Sequence, residues 1–299
     1  MEFLRLLEGI RSPFLDTVIG LVTRLGEETV GIVLLCAIFW CISKRVAYGI
    51  GIAYFLSGLT VQGMKICFRI DRPWVIDPTL RPVPSAIEHA TGYSFPSGHT
   101  QSATALFGSL GVQIKKKAFK AVFFLLVLLV AFSRMYLGVH TLLDVGISLL
   151  ISFVLIFLTA KIFSGGAVSK KRDLAISLFM VLYAVIVIIT AAVLFSQGVI
   201  DEGYVSDCLK AAGAGIGFAV GMYIERVYIN FSEKAKSLLW QIIKYVIGFA
   251  GVFAIKEGLK LIIGTGLVVD TVRYFLMLMW VTVFFPLIIK RFFTYKGDA

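Results

Sequence analysis

Charge is scarce in this chain. Only 16% of its 299 residues are Asp, Glu, Lys or Arg, while 59% are hydrophobic and the mean hydropathy is +0.91. A soluble globular domain carries about 25% charged residues, so the composition excludes one and points to an integral membrane protein. Histidine occurs three times, and the four cysteines (Cys36, Cys41, Cys67, Cys208) lack metal-ligand spacing and read as small apolar residues of the membrane segments. No cluster of acidic residues or histidines suits Mg²⁺ or Zn²⁺. Long polar stretches are absent too. The longest non-membrane segment runs from about Phe68 to Phe95, too short to bury a core of its own, and with Pro96 at its edge it holds five of the seven prolines.

A membrane-spanning helix needs roughly 20 mainly apolar residues. Nine segments qualify as candidates: about 18–42, 46–67, 97–113, 118–137, 140–162, 174–196, 208–229, 238–262 and 271–290. Residues 1–17 alternate apolar side chains with Glu2, Arg5, Glu8, Arg11 and Asp16, which suggests an amphipathic helix lying in the interface. The start of the chain lacks a basic region followed by a clean apolar stretch, so no cleavable signal peptide is expected.

The net charge of +11 is distributed in a way that argues against nucleic acid as a partner. Much of the excess lies in short loops: Lys44 and Arg45; Lys115, Lys116, Lys117 and Lys120; Lys161, Lys170, Lys171 and Arg172; Lys234 and Lys236; Lys290 and Arg291. Every second loop is basic, while the intervening ones are mixed or acidic, as at Asp201, Glu202 and Asp207. By the positive-inside pattern the basic loops face the cytoplasm, the N-terminus is outside and the C-terminus inside. Gly213, Gly217 and Gly221 form a small-residue ladder for close helix packing.

Three polar clusters interrupt the apolar chain: Lys65–Pro73 (KICFRIDRP), Pro96–His99 (PSGH) and Ser133–Asp144 (SRMYLGVHTLLD). The proposed topology puts all three at the extracytoplasmic surface. His140 and Asp144 are four residues apart at a helix start, a spacing that places them on one helical face. A carboxylate bonded to one imidazole nitrogen leaves the other free to attack. Gly138 allows a sharp turn between Arg134 and His140. In PSGH, Pro suits a first helical turn, Ser97 can cap it and Gly98 lets backbone N–H groups approach an anion, which makes a phosphate site beside His99. Lys65 and Arg72 add the positive charge that a phosphoryl transition state requires. Taken singly, each cluster also has an ordinary explanation as a helix cap, a turn or an interfacial basic residue.

Taken together, the series Lys65-x6-Arg72-Pro73, Pro96-Ser97-Gly98-His99 and Ser133-Arg134-x5-His140-x3-Asp144 resembles the complete signature of the type-2 phosphatidic acid phosphatase superfamily. That superfamily includes membrane lipid phosphatases, glucose-6-phosphatase and the vanadium haloperoxidases. The resemblance implies an all-α polytopic membrane protein with a six-helix phosphatase core over residues 18–196 and about three further transmembrane helices in 197–299. It implies His140 as a nucleophile forming a phosphohistidine, Asp144 as its orienting carboxylate and His99 as the general acid. Lys65, Arg72, Ser97, Gly98 and Arg134 become the phosphate cage. No metal and no other cofactor is expected.

The expected activity is a metal-independent lipid phosphatase of the cytoplasmic membrane, acting on the extracytoplasmic face. Phosphatidate, phosphatidylglycerol phosphate, a sphingoid-base phosphate or a polyprenyl diphosphate would fit as the membrane lipid substrate. A water-soluble sugar phosphate, or a non-catalytic lipid-phosphate binder or transporter, stays open beside it, as does the oligomeric state. Outside the signature, Lys256 and Lys260 share a helix face and could bind a second anionic headgroup, or could pair with Glu257 or snorkel. Glu27, next to Glu28, could touch a headgroup amine or alcohol, or pair with Arg24. His89 is expected as an exposed loop histidine.

Overall fold

The computed structural model describes residues 1–88, 90–163 and 169–293, and among them every regular element is helical. His89 lies outside the described residues. Among the described residues six helices are long and apolar enough to cross a membrane: Lys44–Ile76, Lys117–Tyr136, Leu142–Phe163, Lys170–Ser196, Leu238–Ile263 and Leu267–Phe292. The pair Pro13–Gly26 and Glu28–Ile42, bent by 52°, makes a seventh if counted as one broken span.

Two of the nine candidate segments therefore fold differently from a long apolar span. Residues 98–113 form a shorter helix, interrupted by a π-turn at Thr104–Gly108 whose five residues are all buried. The Glu202–Ile224 helix is rich in glycine and alanine and carries Asp207 and Lys210, which lowers its apolarity below that of the six.

Contacts gather the chain into two compact units, Met1–Ile32 with Thr60–Lys161 and Val33–Leu59 with Ile162–Ala299. In the first, the amphipathic helix at Glu2–Gly9 turns Leu4 and Leu7 inward against Leu80, Val83, Met135, Tyr136 and Val139. Burying each leucine contributes about 1.5–3 kcal/mol. The other face of this helix leaves Phe3 and Leu6 exposed. Polar ties hold the same helix to the loop after residue 68: Arg5 pairs with Asp77 at 2.6 Å, and Glu8 accepts from the Arg81 amide at 3.2 Å. The Arg11 guanidinium then donates to the carbonyls of Arg81 and Tyr136. That loop is not featureless, since Pro73 and Pro84 each start one turn of helix.

In the second unit the glycine ladder lets the Glu202–Ile224 helix approach Leu267–Met279 backbone to backbone. A Cβ at Gly213 would collide with the Thr271 carbonyl, and one at Gly217 would lie 2.6 Å from the Phe275 carbonyl. Glu225 is fully buried and accepts from Lys44 Nζ at 3.0 Å, from the Phe231 amide at 3.1 Å and from the Tyr48 hydroxyl. Arg226 pairs with buried Asp173 at 2.8 Å. These partners satisfy charges that would be prohibitive alone in an apolar interior. Lys256 and Glu257 are half-buried and Lys260 exposed, all on or beside a π-turn at Ala254–Gly258 of this unit.

Candidate active site

Five helix ends of the first unit deliver the signature residues. Lys65 lies in the last turn of Lys44–Phe68, and Arg72 precedes the Pro73 turn. His99 is in the first turn of the helix from Gly98, Arg134 in the last turn of Lys117–Tyr136, and Asp144 in the first turn of Leu142–Phe163. Lys65, Arg72, Ser97, Arg134, His140 and Asp144 are all buried, while Gly98 and His99 are half-buried.

The turn that presents His140 closes on Arg134, whose carbonyl accepts from the Val139 and His140 amides at 3.1 and 3.3 Å. Gly138 takes φ +77°, a left-handed conformation that glycine enters without strain. His140 and Asp144 do not share a helical face, because the helix begins only at Leu142. Their meeting depends instead on a capping box that the sequence spells as Thr141-x-x-Asp144. The Thr141 amide donates to Asp144 Oδ2 at 2.7 Å, and the Asp144 amide donates to Thr141 Oγ1 at 3.3 Å. That reciprocal cap aims Asp144 Oδ2 back at His140 Nδ1, 3.5 Å away.

Ser94 completes this corner. Its hydroxyl donates to Asp144 Oδ2 at 2.6 Å and lies 3.5 Å from His140 Nδ1. Ser94 carries no spacing signal and stands outside the three-part signature, so its role appears only in the fold. Its nearness to PSGH was the one available hint.

On the opposite edge of the imidazole, Arg72 NH1 lies 2.9 Å from Nε2. The same guanidinium donates to the Val139, Gly92 and Thr91 carbonyls at 3.0, 2.9 and 2.6 Å, so three backbone carbonyls hold it. Lys65 Nζ donates to the Tyr93 carbonyl. Arg134 NH1 donates to Thr23 Oγ1 at 2.7 Å, and its Nε is buried with no hydrogen-bond partner. A buried unsatisfied guanidinium N–H is costly, and an anionic ligand would satisfy it.

In the second cluster Ser97 caps the Gly98 helix, accepting from Thr100 N at 3.4 Å, while its own amide donates to the Asp144 carbonyl at 3.2 Å. Pro96 precedes the cap and is not in the first turn; the Phe95–Pro96 peptide is cis. A Cβ at Gly98 would meet no atom within 4 Å, leaving the helix N-terminus open to an anion.

Loss of water, followed by the charges of Arg72, Arg134, Lys65 and His99, holds the His140 imidazole well below its ordinary value of 6.5. It is neutral at neutral pH, as a nitrogen nucleophile must be. The arrangement thus combines a neutral imidazole backed by a carboxylate, a cage of fixed cations and an open helix N-terminus. Lys256 and Lys260 belong to the second unit. Glu27 lies in the first, directly after Gly26, whose Cα packs on the His99 backbone.

A fold of long apolar helices around such a site defines a membrane phosphatase, and comparison with known proteins agrees. The family model described as the PAP2 superfamily matches residues 45–166, and that described as the PAP2 superfamily phosphatase, transmembrane extension, matches residues 209–297. The chain belongs to the PAP2 superfamily. It is 27% identical over 165 residues to phosphatidylglycerophosphatase B of Bacillus subtilis (strain 168), covering 50% of this chain and 75% of that protein. It is also similar to the crystal structure of Aquifex aeolicus LpxE, with 27% identity and a TM-score of 0.45, covering 54% of this chain and 93% of that one.

Proposed function

We propose that the chain is a lipid phosphate phosphatase working through a phosphohistidine on His140, with its site on the extracytoplasmic face of the cytoplasmic membrane. The observation that carries this reading is the His140 ring held between Arg72 on Nε2 and Asp144 on Nδ1. Nε2 attacks phosphorus while the bond to the lipid oxygen breaks and His99, as imidazolium, gives that oxygen its proton. Water then attacks the phosphohistidine, His99 takes the proton from the water, and the His140–phosphorus bond breaks to release phosphate. Lys65, Arg72, Arg134, Ser97 and the Gly98 helix start bind the equatorial oxygens throughout. No metal is required in this scheme because fixed cations already face the transferred group.

The alternating basic loops support the orientation, and the two family-model ranges support a phosphatase core over 18–196 followed by a membrane extension over 197–299. The similarity to a phosphatidylglycerophosphatase supports a lipid phosphate monoester as substrate, a class that also contains phosphatidate and sphingoid-base phosphates. Lys256 and Lys260 are assigned to the headgroup of a second anionic lipid, and Lys256→Ala with Lys260→Ala should change substrate preference or KM.

The deciding experiment is phosphate release from phosphatidate and phosphatidylglycerol phosphate by purified protein in EDTA, with and without vanadate. Release that EDTA leaves intact and vanadate inhibits, and that His140→Ala abolishes, is the expected result. Full activity in His140→Ala would remove the mechanism, and binding without turnover would leave a non-catalytic lipid-phosphate binder.

A further inference from the structure

The broken first span reaches the site at its break. Thr23 ends the Pro13–Thr23 helix and takes the hydrogen bond of Arg134 NH1 at 2.7 Å. A turn of 3₁₀-helix follows at Arg24–Gly26, and a Cβ at Gly26 would lie 2.7 Å from the His99 carbonyl oxygen and 3.0 Å from its Cβ. The backbone of the break therefore rests on His99 itself. Glu27 comes next, half-buried, in an extended conformation with φ −73° and ψ 150°. The charged groups that act on the Arg134 guanidinium are Arg72, of like sign, and Glu27, of opposite sign. Glu27 thus follows directly on the backbone that rests on His99, and its negative charge opposes the cation of Arg134.

We infer that Glu27 is a charge filter on the leaving-group side, selecting monophosphate esters of uncharged alcohols and disfavouring diphosphates. The inference deepens the phosphatase reading above and rests on it. The cations Lys65, Arg72 and Arg134 attract any phosphate and do not discriminate between the two classes. Asp144 is engaged by Ser94, Thr141 and His140, whereas Glu27 takes no part in that corner.

When the phosphorus–oxygen bond of a monoester breaks, the proton from His99 leaves a neutral alcohol. When the terminal bond of a diphosphate breaks, the departing group is a lipid monophosphate. It keeps at least one full negative charge next to the protonated oxygen. A carboxylate on the residue after the Gly26–His99 contact opposes that charge in the bound state and through the transition state. The same carboxylate can accept a hydrogen bond from a hydroxyl or ammonium of the departing alcohol, which a diphosphate does not offer at that position.

The test compares kcat/KM of the full-length protein on a polyprenyl monophosphate and the diphosphate of the same tail, with phosphatidate as a second monoester. The wild type should favour the monophosphate by about tenfold or more, and Glu27→Gln should shrink that ratio by about five- to tenfold. Glu27→Asp, which keeps the charge, should retain the preference. Inhibition should follow the same order, with pyrophosphate gaining on inorganic phosphate in Glu27→Gln. An unchanged ratio in Glu27→Gln, with both substrates slowed alike, would reduce Glu27 to a structural role and overturn the inference. A wild type that prefers the diphosphate would do the same. If the wild type releases phosphate from neither class, or His140→Ala still releases it, the phosphatase reading itself fails and takes the filter with it.

Discussion

Arg72 NH1 lies 2.9 Å from His140 Nε2 and 3.0 Å from the Val139 carbonyl, in a guanidinium that also donates to the Gly92 and Thr91 carbonyls. A guanidinium can only donate, so Nε2 is the acceptor and the proton of the neutral ring is on Nδ1, facing Asp144. The lone pair proposed to attack phosphorus is therefore the one that Arg72 NH1 occupies, and that N–H must turn to a phosphate oxygen before Nε2 can attack.

That arrangement predicts a severe effect of a charge-conserving change. Arg72→Lys keeps the cation but loses the planar fork that grips three carbonyls and the ring at once. The expected loss in kcat/KM is about 10²–10³-fold, comparable to removing one preorganised donor from a charged transition state. Steady-state kinetics on a lipid phosphate would check it; a loss below tenfold would mean that charge alone is enough.

The burial of His140 sets a pH dependence. The folded ring titrates well below 6.5, whereas the unfolded chain protonates near 6.5. Below that pH the unfolded state binds a proton that the native state refuses, so this group makes stability fall as pH falls and contributes no such slope above it. The acid limb of kcat/KM should likewise lie well below 6.5, and the alkaline limb should follow loss of the His99 proton. A pH–rate profile with a thermal midpoint series from pH 4 to 9 reads both; an acid limb at or above 6.5 would contradict the neutral, buried ring.

Ser94 should behave as a positioning residue. Ser94→Ala removes a 2.6 Å hydrogen bond to Asp144 without touching the substrate. We expect kcat to fall by about 10- to 100-fold with KM nearly unchanged, the pattern of an interaction that matters chiefly in the transition state. Ser94→Thr, which restores the hydroxyl, should recover most of the rate.

The second unit offers a stability test independent of chemistry. Glu225→Ala would strand Lys44 beside the Asn230 and Phe231 oxygens and leave the Tyr48 hydroxyl and the Phe231 amide without their carboxylate. Breaking a buried charge pair from one side costs about 3–5 kcal/mol, so the thermal midpoint in detergent should drop clearly. Glu225→Gln, which keeps hydrogen-bonding capacity, should lie between the two.

Much of this was legible in the sequence because it is local. Apolar run lengths mark the helices, Ser12, Ser169 and Ser237 cap the helices that follow them, and the 213–217–221 ladder marks a close helix approach. The Thr141-x-x-Asp144 capping box was also open to reading, and it explains the His140–Asp144 meeting better than a shared helical face does. The break at Glu27 was harder to see, since Glu27 and Glu28 look like interfacial charges on an otherwise uniform span. Leu4 and Leu7 belong to the same class: an amphipathic stripe reads identically whether it faces lipid or, as here, the protein's own loop.

By itself the sequence determined that the chain is a helical membrane protein, and it named the cations, histidines and carboxylate of the three-part signature. Composition and short spacing are enough for that, because spans and caps are properties of neighbouring residues. Only the tertiary structure decided which nitrogen of His140 faces Arg72, that Ser94 closes the Asp144 corner, and that Thr23 and Gly26 come to lie against Arg134 and His99. Those are meetings between side chains up to 111 positions apart, set by how helix ends converge and invisible to any local pattern.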